Sequence, residues 1–168
     1  QEIYAMEQTE EEEETTEQEA FLDEYKETLY EYAEDLNEQQ KQWLQEIGFK
    51  KDHQWDIKQK ETKEMLIRCR SNEGTSHAYL VGAIWEYITT ESIDPDAKMY
   101  ETKMPDVVFR VGGIAWAIEV ETGSVLRKDS VQMQEKVNML NKNYEGRWFF
   151  VVANKNLVSK YRQFGEVV

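Results

Sequence analysis

The spacing of apolar residues changes character several times along the chain, and each change marks a different element. Phe21, Tyr25, Leu29, Tyr32, Leu36, Trp43 and Ile47 recur near a helical period, with no Pro or Gly before Gly48. That pattern predicts one long amphipathic helix, or two with a break near Asn37. Lys50 to Arg70 is mixed and strongly charged, and only Glu64 to Arg70 reads as a strand. Beyond it, Thr75 or Ser76 is a candidate N-cap for a helix over His77 to Thr90, whose Leu80, Val81, Ile84, Tyr87 and Ile88 share one side. Asp94-Pro95-Asp96 makes a turn, and Lys98 to Pro105 follows as a candidate edge strand.

The period then drops to two. Val107 to Val111 and Ile114 to Val120 alternate on either side of Gly112-Gly113, a pair suited to the positive φ values of a two-residue hairpin turn. Met133, Val137 and Leu140 line one face of a helix from about Lys128 to Asn141. Trp148 to Ala153 is continuously apolar, as expected of a strand buried on both faces, and a short helix is predicted over Leu157 to Phe164. Helix, strand, hairpin, helix, buried strand, helix is an α/β order: a mixed central sheet flanked by helices, with a crossover helix expected to be right-handed.

Charge divides the chain further. Gln1 to Glu46 holds seventeen acidic and two basic residues, a balance of -15, whereas Ile47 to Val168 carries +1, which together give the overall -14. Residues 1–20, with the run Glu10 to Glu14, are expected to be an acidic flexible linker, because like charges at that density repel one another into solvent. Residues 21–48 form the amphipathic helical segment and residues 49–168 the α/β domain. The acidity that would repel a phosphate backbone is thus confined to the first third. Cys69 is the lone cysteine, which rules out an internal disulfide and predicts a reducing, cytoplasmic setting. No apolar run approaches the roughly 18 residues of a membrane span, and no leader is recognisable. A start at Gln1 rather than Met is expected of a chain that continues upstream.

The hairpin carries the candidate chemistry. With a two-residue turn every cross-strand pair sums to 225, so Asp106 faces Glu119, Val108 faces Ala117 and Arg110 faces Ala115. One face carries Val107, Phe109, Val111, Ile114, Trp116, Ile118 and Val120 and is assigned to the core. The other carries Asp106, Val108, Arg110, Ala115, Ala117, Glu119 and Glu121 and is expected to face solvent. Opposed carboxylates destabilise a sheet unless a cation compensates, and Arg110 lies too far along to neutralise more than one. Mg²⁺ or Mn²⁺, held by one or two carboxylates together with waters and phosphate oxygens, fits that arrangement. Lys98, Lys103 or Lys128 could instead pair with the acids as ordinary surface residues.

Pro105-Asp106, a hairpin, Glu119-Val120-Glu121, a helix with Gln132 and Gln134, and a buried strand together resemble the PD-(D/E)XK nuclease superfamily over roughly Glu73 to Phe164. The resemblance implies metal-dependent hydrolysis of DNA phosphodiesters. Asp106 and Glu119 would be the metal ligands, with the Val120 carbonyl as a further one. Glu121 stands where the superfamily usually has Lys, and some members use a second Glu there as a base for the attacking water or an additional ligand. Gln134 resembles a glutamine that members place near the metal. Ser76-His77 resembles the start of the helix that opens the superfamily core.

Several residues have two readings. His77 is a candidate accessory residue for phosphate or ligand, yet it shares a face with Val81, Ile84 and Ile88 and reads more readily as a buried or boundary histidine. Lys128 and Lys136 could supply the cation that Glu121 does not, and with Arg127 and Lys142 they give the crossover helix a modest basic character suited to a phosphate backbone. His53 reads as a surface residue. Two rivals stand beside the nuclease: a catalytically weak or inactive module of the same fold that binds nucleic acid or a protein, and an acidic segment that mimics nucleic acid or binds a basic protein partner. A homodimer is compatible with each.

Overall fold

The computed structural model describes residues 15–70, 73–101, 105–124 and 130–168. Their backbone is mixed α/β with two sheets, and it divides into two compact units, residues 1–69 and 70–168. Among the described residues no helix is long and apolar enough to cross a membrane.

In the first unit residues 15–23 are helical. There follow β1 (Tyr30–Tyr32), a 3-10 turn (Ala33–Asp35), α1 (Glu38–Glu46), β2 (Phe49–Asp56) and β3 (Glu61–Arg68). The sheet is antiparallel in the order β1-β3-β2. The predicted long helix is therefore interrupted. The break near Asn37 is present: its side chain accepts from the Gln40 N–H at 2.8 Å while the Gln40 side chain accepts from the Asn37 N–H at 3.0 Å, a reciprocal cap that starts α1. Tyr30 to Tyr32, however, pair with Met65 to Ile67 as a strand, so tertiary pairing overrides a helical spacing there.

The β2–β3 hairpin was legible only in part. Its inner end is apolar, and Leu66 and Phe49 pack with Ala33, Leu36 and Leu44. From Asp52 to Lys63 every residue except Asp56 is exposed or half-buried, so both faces are solvated and no apolar alternation marks the strands. Asp56 is buried because its carboxylate closes the turn, accepting from the Lys58 N–H at 3.3 Å and the Gln59 N–H at 3.0 Å. Lys60 completes the turn with φ 57.

The second unit comprises α2 (Thr75–Thr90), β4 (Lys98–Met99), β5 (Val107–Val111), β6 (Ile114–Glu121), α3 (Ser130–Tyr144), β7 (Trp148–Val152), a 3-10 turn (Lys155–Leu157) and α4 (Val158–Arg162). The sheet order is β4-β5-β6-β7, antiparallel except for the parallel β6–β7 pair that α3 connects. Gly74 caps α2, rather than Thr75 or Ser76, and does so without a side-chain bond. The edge strand is shorter than expected, with residues 102–104 outside the described set. Gly112 and Gly113 have φ 59 and φ 78, as the two-residue turn requires, and the predicted register holds from Val107 opposite Ile118 to Val111 opposite Ile114.

The solvent-face expectation is overturned. Ala117 is fully buried and packs with Met133, Val137 and Leu140 of α3 and with Trp148, Phe150 and Tyr161. Glu119 and Glu121 share that covered face and retain only 4% and 2% exposure. On the opposite face Val107, Ile118 and Val120 are also buried, and α2 lies against β5 and β6. What separates wet from dry is position along the hairpin: Val111 and Ile114, assigned to the core, are about half exposed at the turn. A crossover helix must cover one sheet face, and α3 covers the acidic one.

Candidate functional site

Two chains of ion pairs meet at the open end of β5–β6. The first begins at Arg70, whose Nη2 and Nε each lie 3.0 Å from a Glu73 carboxylate oxygen. Glu73 Oε1 lies 2.6 Å from His77 Nδ1, four residues further on at the start of α2. His77 Nε2 is 3.3 Å from Asp106 Oδ2, which also accepts the Val120 N–H at 2.8 Å. Asp106 is thereby fixed across the neighbouring strand. The second chain comes from α3: Lys136 Nζ is 2.8 Å from Glu121 Oε1 and 3.3 Å from Glu119 Oε2. The Tyr161 hydroxyl of α4 donates to Glu121 Oε2 at 3.1 Å.

Burial and neighbours drive the two facing carboxyls apart. Burial opposes ionisation of Asp106, but the His77 hydrogen bond and charge and the Val120 N–H outweigh it and hold its pKa below the usual value. Glu119 is pushed well above the ordinary range, chiefly by burial and then by the Asp106 charge, against which the Lys136 charge does not suffice. Burial and the opposed charges thus push the two carboxyls in opposite directions, Asp106 toward the ionised form and Glu119 toward the protonated one. Burial works against the charge on His77 as well, yet its bonds to Asp106 and Glu73 push it up to about 10. Burial also opposes the charge on Glu73, which His77 and Arg70 nonetheless bring down to about 2. Burial alone would lower Lys136, and Glu119 and Glu121 raise it instead.

No family model, curated protein or solved structure matches the chain.

Of the sequence-predicted residues, Asp106, Glu119, Glu121 and His77 converge. The Val120 N–H serves Asp106, and its side chain points to the opposite, buried face. Gln134 does not join them: it is exposed and donates to Asn138 at 3.0 Å, because two helical residues separate it by more than a right angle from Lys136. Lys128 and Arg127 lie outside the described residues, as do Lys103 and the Glu10 to Glu14 run. Arg70, Glu73 and Tyr161 were not anticipated. Glu73 carried a signal, standing four residues before His77 at the spacing of helical neighbours. Tyr161 carried none, being 40 residues from its partner.

Among the described residues no three His, Cys, Asp or Glu side chains are grouped so as to hold a metal ion by themselves. Two carboxylates suffice for Mg²⁺, which usually keeps several waters and takes substrate phosphate oxygens as further ligands.

Proposed function

We propose that residues 70–168 form a metal-dependent DNA endonuclease domain with a PD-(D/E)XK-like arrangement, in which the missing third-position lysine is replaced by Lys136 from the crossover helix. One observation carries this reading: the Lys136 ammonium reaches both Glu119 and Glu121 at the strand end where Asp106 faces Glu119. The donor set suits a hard divalent ion. Two facing carboxyls in a covered site offer oxygen ligands, and added positive charge would favour the ionised form of Glu119, whose pKa burial and Asp106 raise.

Asp106, Glu119 and the Val120 carbonyl are the residues that would hold Mg²⁺ or Mn²⁺, and a bound ion supplies Lewis acidity and a water of lowered pKa. The chain's own residues do the rest. Arg70, Glu73 and His77 orient Asp106 through three successive contacts. Glu121, whose two oxygens accept from Lys136 and Tyr161, is held in a fixed orientation and would be the base for the attacking water. Lys136 is half-buried and offers its charge to a phosphate entering from the solvent side.

The second reading is a catalytically weak module of the same fold that binds nucleic acid or a protein. It is favoured by the fact that Lys136 already serves as an internal counter-ion. Cleavage of plasmid and branched DNA in Mg²⁺, Mn²⁺ or EDTA decides between them. Under the nuclease reading, Glu119→Gln abolishes cleavage but keeps the fold, because the amide has the shape of the carboxyl without its charge. Glu121→Ala lowers cleavage by about 10² or more, as expected for a positioned base. Absence of metal-dependent cleavage in the wild type, under conditions where DNA is bound, leaves the second reading.

A further inference from the structure

We propose that the outer end of the β2–β3 hairpin is a DNA-contacting element, with Lys58 and Lys60 on the phosphate backbone and the Trp55 indole against sugar or base. The choice of DNA as occupant rests on the nuclease reading above. The observations that point to a partner are independent of it.

Trp55 is 59% exposed and Ile57 43% exposed on the same short stretch, which leaves an indole face open beside the turn. The turn that presents them is built rather than loose. The Asp56 carboxylate takes the Lys58 and Gln59 N–H groups, and the Lys60 N–H donates to the Asp56 carbonyl at 2.8 Å. With Asp56 buried in that role, the tip displays Ile57, Lys58, Gln59 and Lys60 and no acidic side chain.

The acids behind the tip have partners within the unit but keep their charge, with Lys63 shared between Glu61 and Glu34. Glu61 pairs with Lys63 at 2.9 Å, Glu64 lies 3.7 Å from His53, and Asp52 accepts from the His53 N–H and the Gln54 side chain. The exposed Lys51, His53 and Trp55 occupy alternate positions of β2, hence one face, over about 13 Å at roughly 3.3 Å per residue. Across residues 51–64 four lysines and four acids balance, and the local excess of positive charge is at the tip itself, where Lys58 and Lys60 stand near the exposed indole. Lysines neutralise phosphates, and an exposed indole stacks on any base, so the combination suits a nucleic-acid strand regardless of its sequence.

The test uses the full chain in EDTA, so that binding is read without cleavage. Anisotropy of labelled duplex and single-stranded DNA is followed against salt for the wild type and for the triple variant Trp55→Ala, Lys58→Ala, Lys60→Gly. Glycine is chosen at position 60 because it accepts the positive φ there. The variant is expected to bind at least about tenfold more weakly. Its logarithmic salt slope should be shallower by about two, one unit per lost phosphate contact. Trp55→Phe restores most of the stacking share. Equal affinity and slope in wild type and variant, or no binding by either, overturns the proposal. So does displacement of the DNA by poly-glutamate at equal charge, which would identify an acidic peptide as the occupant. Hairpin-dependent binding with no metal-dependent cleavage in any protein removes the nuclease reading and leaves the hairpin assignment standing.

Discussion

In the β2–β3 hairpin of the first unit the carboxylates stand in water: Glu61 meets Lys63 two residues along the same strand, and both glutamates around Lys63 are more than half exposed. In the β5–β6 hairpin of the second unit the acids are covered, and their partners come from other elements, Lys136 fifteen residues away and Tyr161 forty. The pairing geometry of the two hairpins is alike, so the secondary structure does not set what a carboxylate does. Coverage does. A solvated ion pair contributes little because water solvates either partner alone, whereas a covered pair leaves an uncompensated charge when one partner is lost.

The sharpest way to break that comparison is to remove the lysine from each. Lys136→Met is expected to lower the free energy of unfolding in EDTA by about 3–5 kcal/mol, measured by urea denaturation. Lys63→Met should cost far less, because water solvates the glutamates it leaves behind. Equal losses would mean that burial of Glu119 and Glu121 is not what separates the two hairpins.

A second, somewhat smaller effect is expected on acidification. Glu73 is held down to about 2, so its contribution is fully present above the unfolded value near 4.5 and is lost as pH falls from there through about 2. Over that window the stability difference between wild type and Glu73→Gln should shrink by on the order of 3 kcal/mol. A pH-independent difference would show that the Arg70–Glu73–His77 contacts add no net charge stabilisation.

The smallest change concerns the turn. Lys60→Gly relieves a left-handed conformation but adds freedom to the unfolded chain, so it should alter stability by less than about 1 kcal/mol in either direction. A larger loss would mean that the lysine side chain itself holds the turn.

How much of this was legible in the sequence follows the same division. The β5–β6 register was readable to the residue from Val107 opposite Ile118 to the turn, because a glycine pair and strict alternation leave one solution, and Asp106 and Glu119 follow as neighbours just beyond it. That both faces are covered away from the turn was not readable, since alternation assigns residues to faces without saying which element packs on each. The crossover helix was recognised from Met133, Val137 and Leu140, all buried as expected. Lys136 lies one position before Val137 on the margin of that apolar stripe, so its reach to the acids depended on which face the helix covers. In the first unit the aromatic spacing from Phe21 to Trp43 matched a helix and yet concealed a strand, because Tyr30 and Tyr32 satisfy a period of two as well.

One bond inside the candidate site also makes it observable. The Val120 amide donates to Asp106 Oδ2 at 2.8 Å in the interior of the sheet, where solvent does not compete for it. Its proton resonance is therefore a label already present in the backbone: whatever draws electron density from that carboxylate, whether an ion, a proton or a substrate phosphate competing nearby, moves one peak in an ¹⁵N-correlated spectrum.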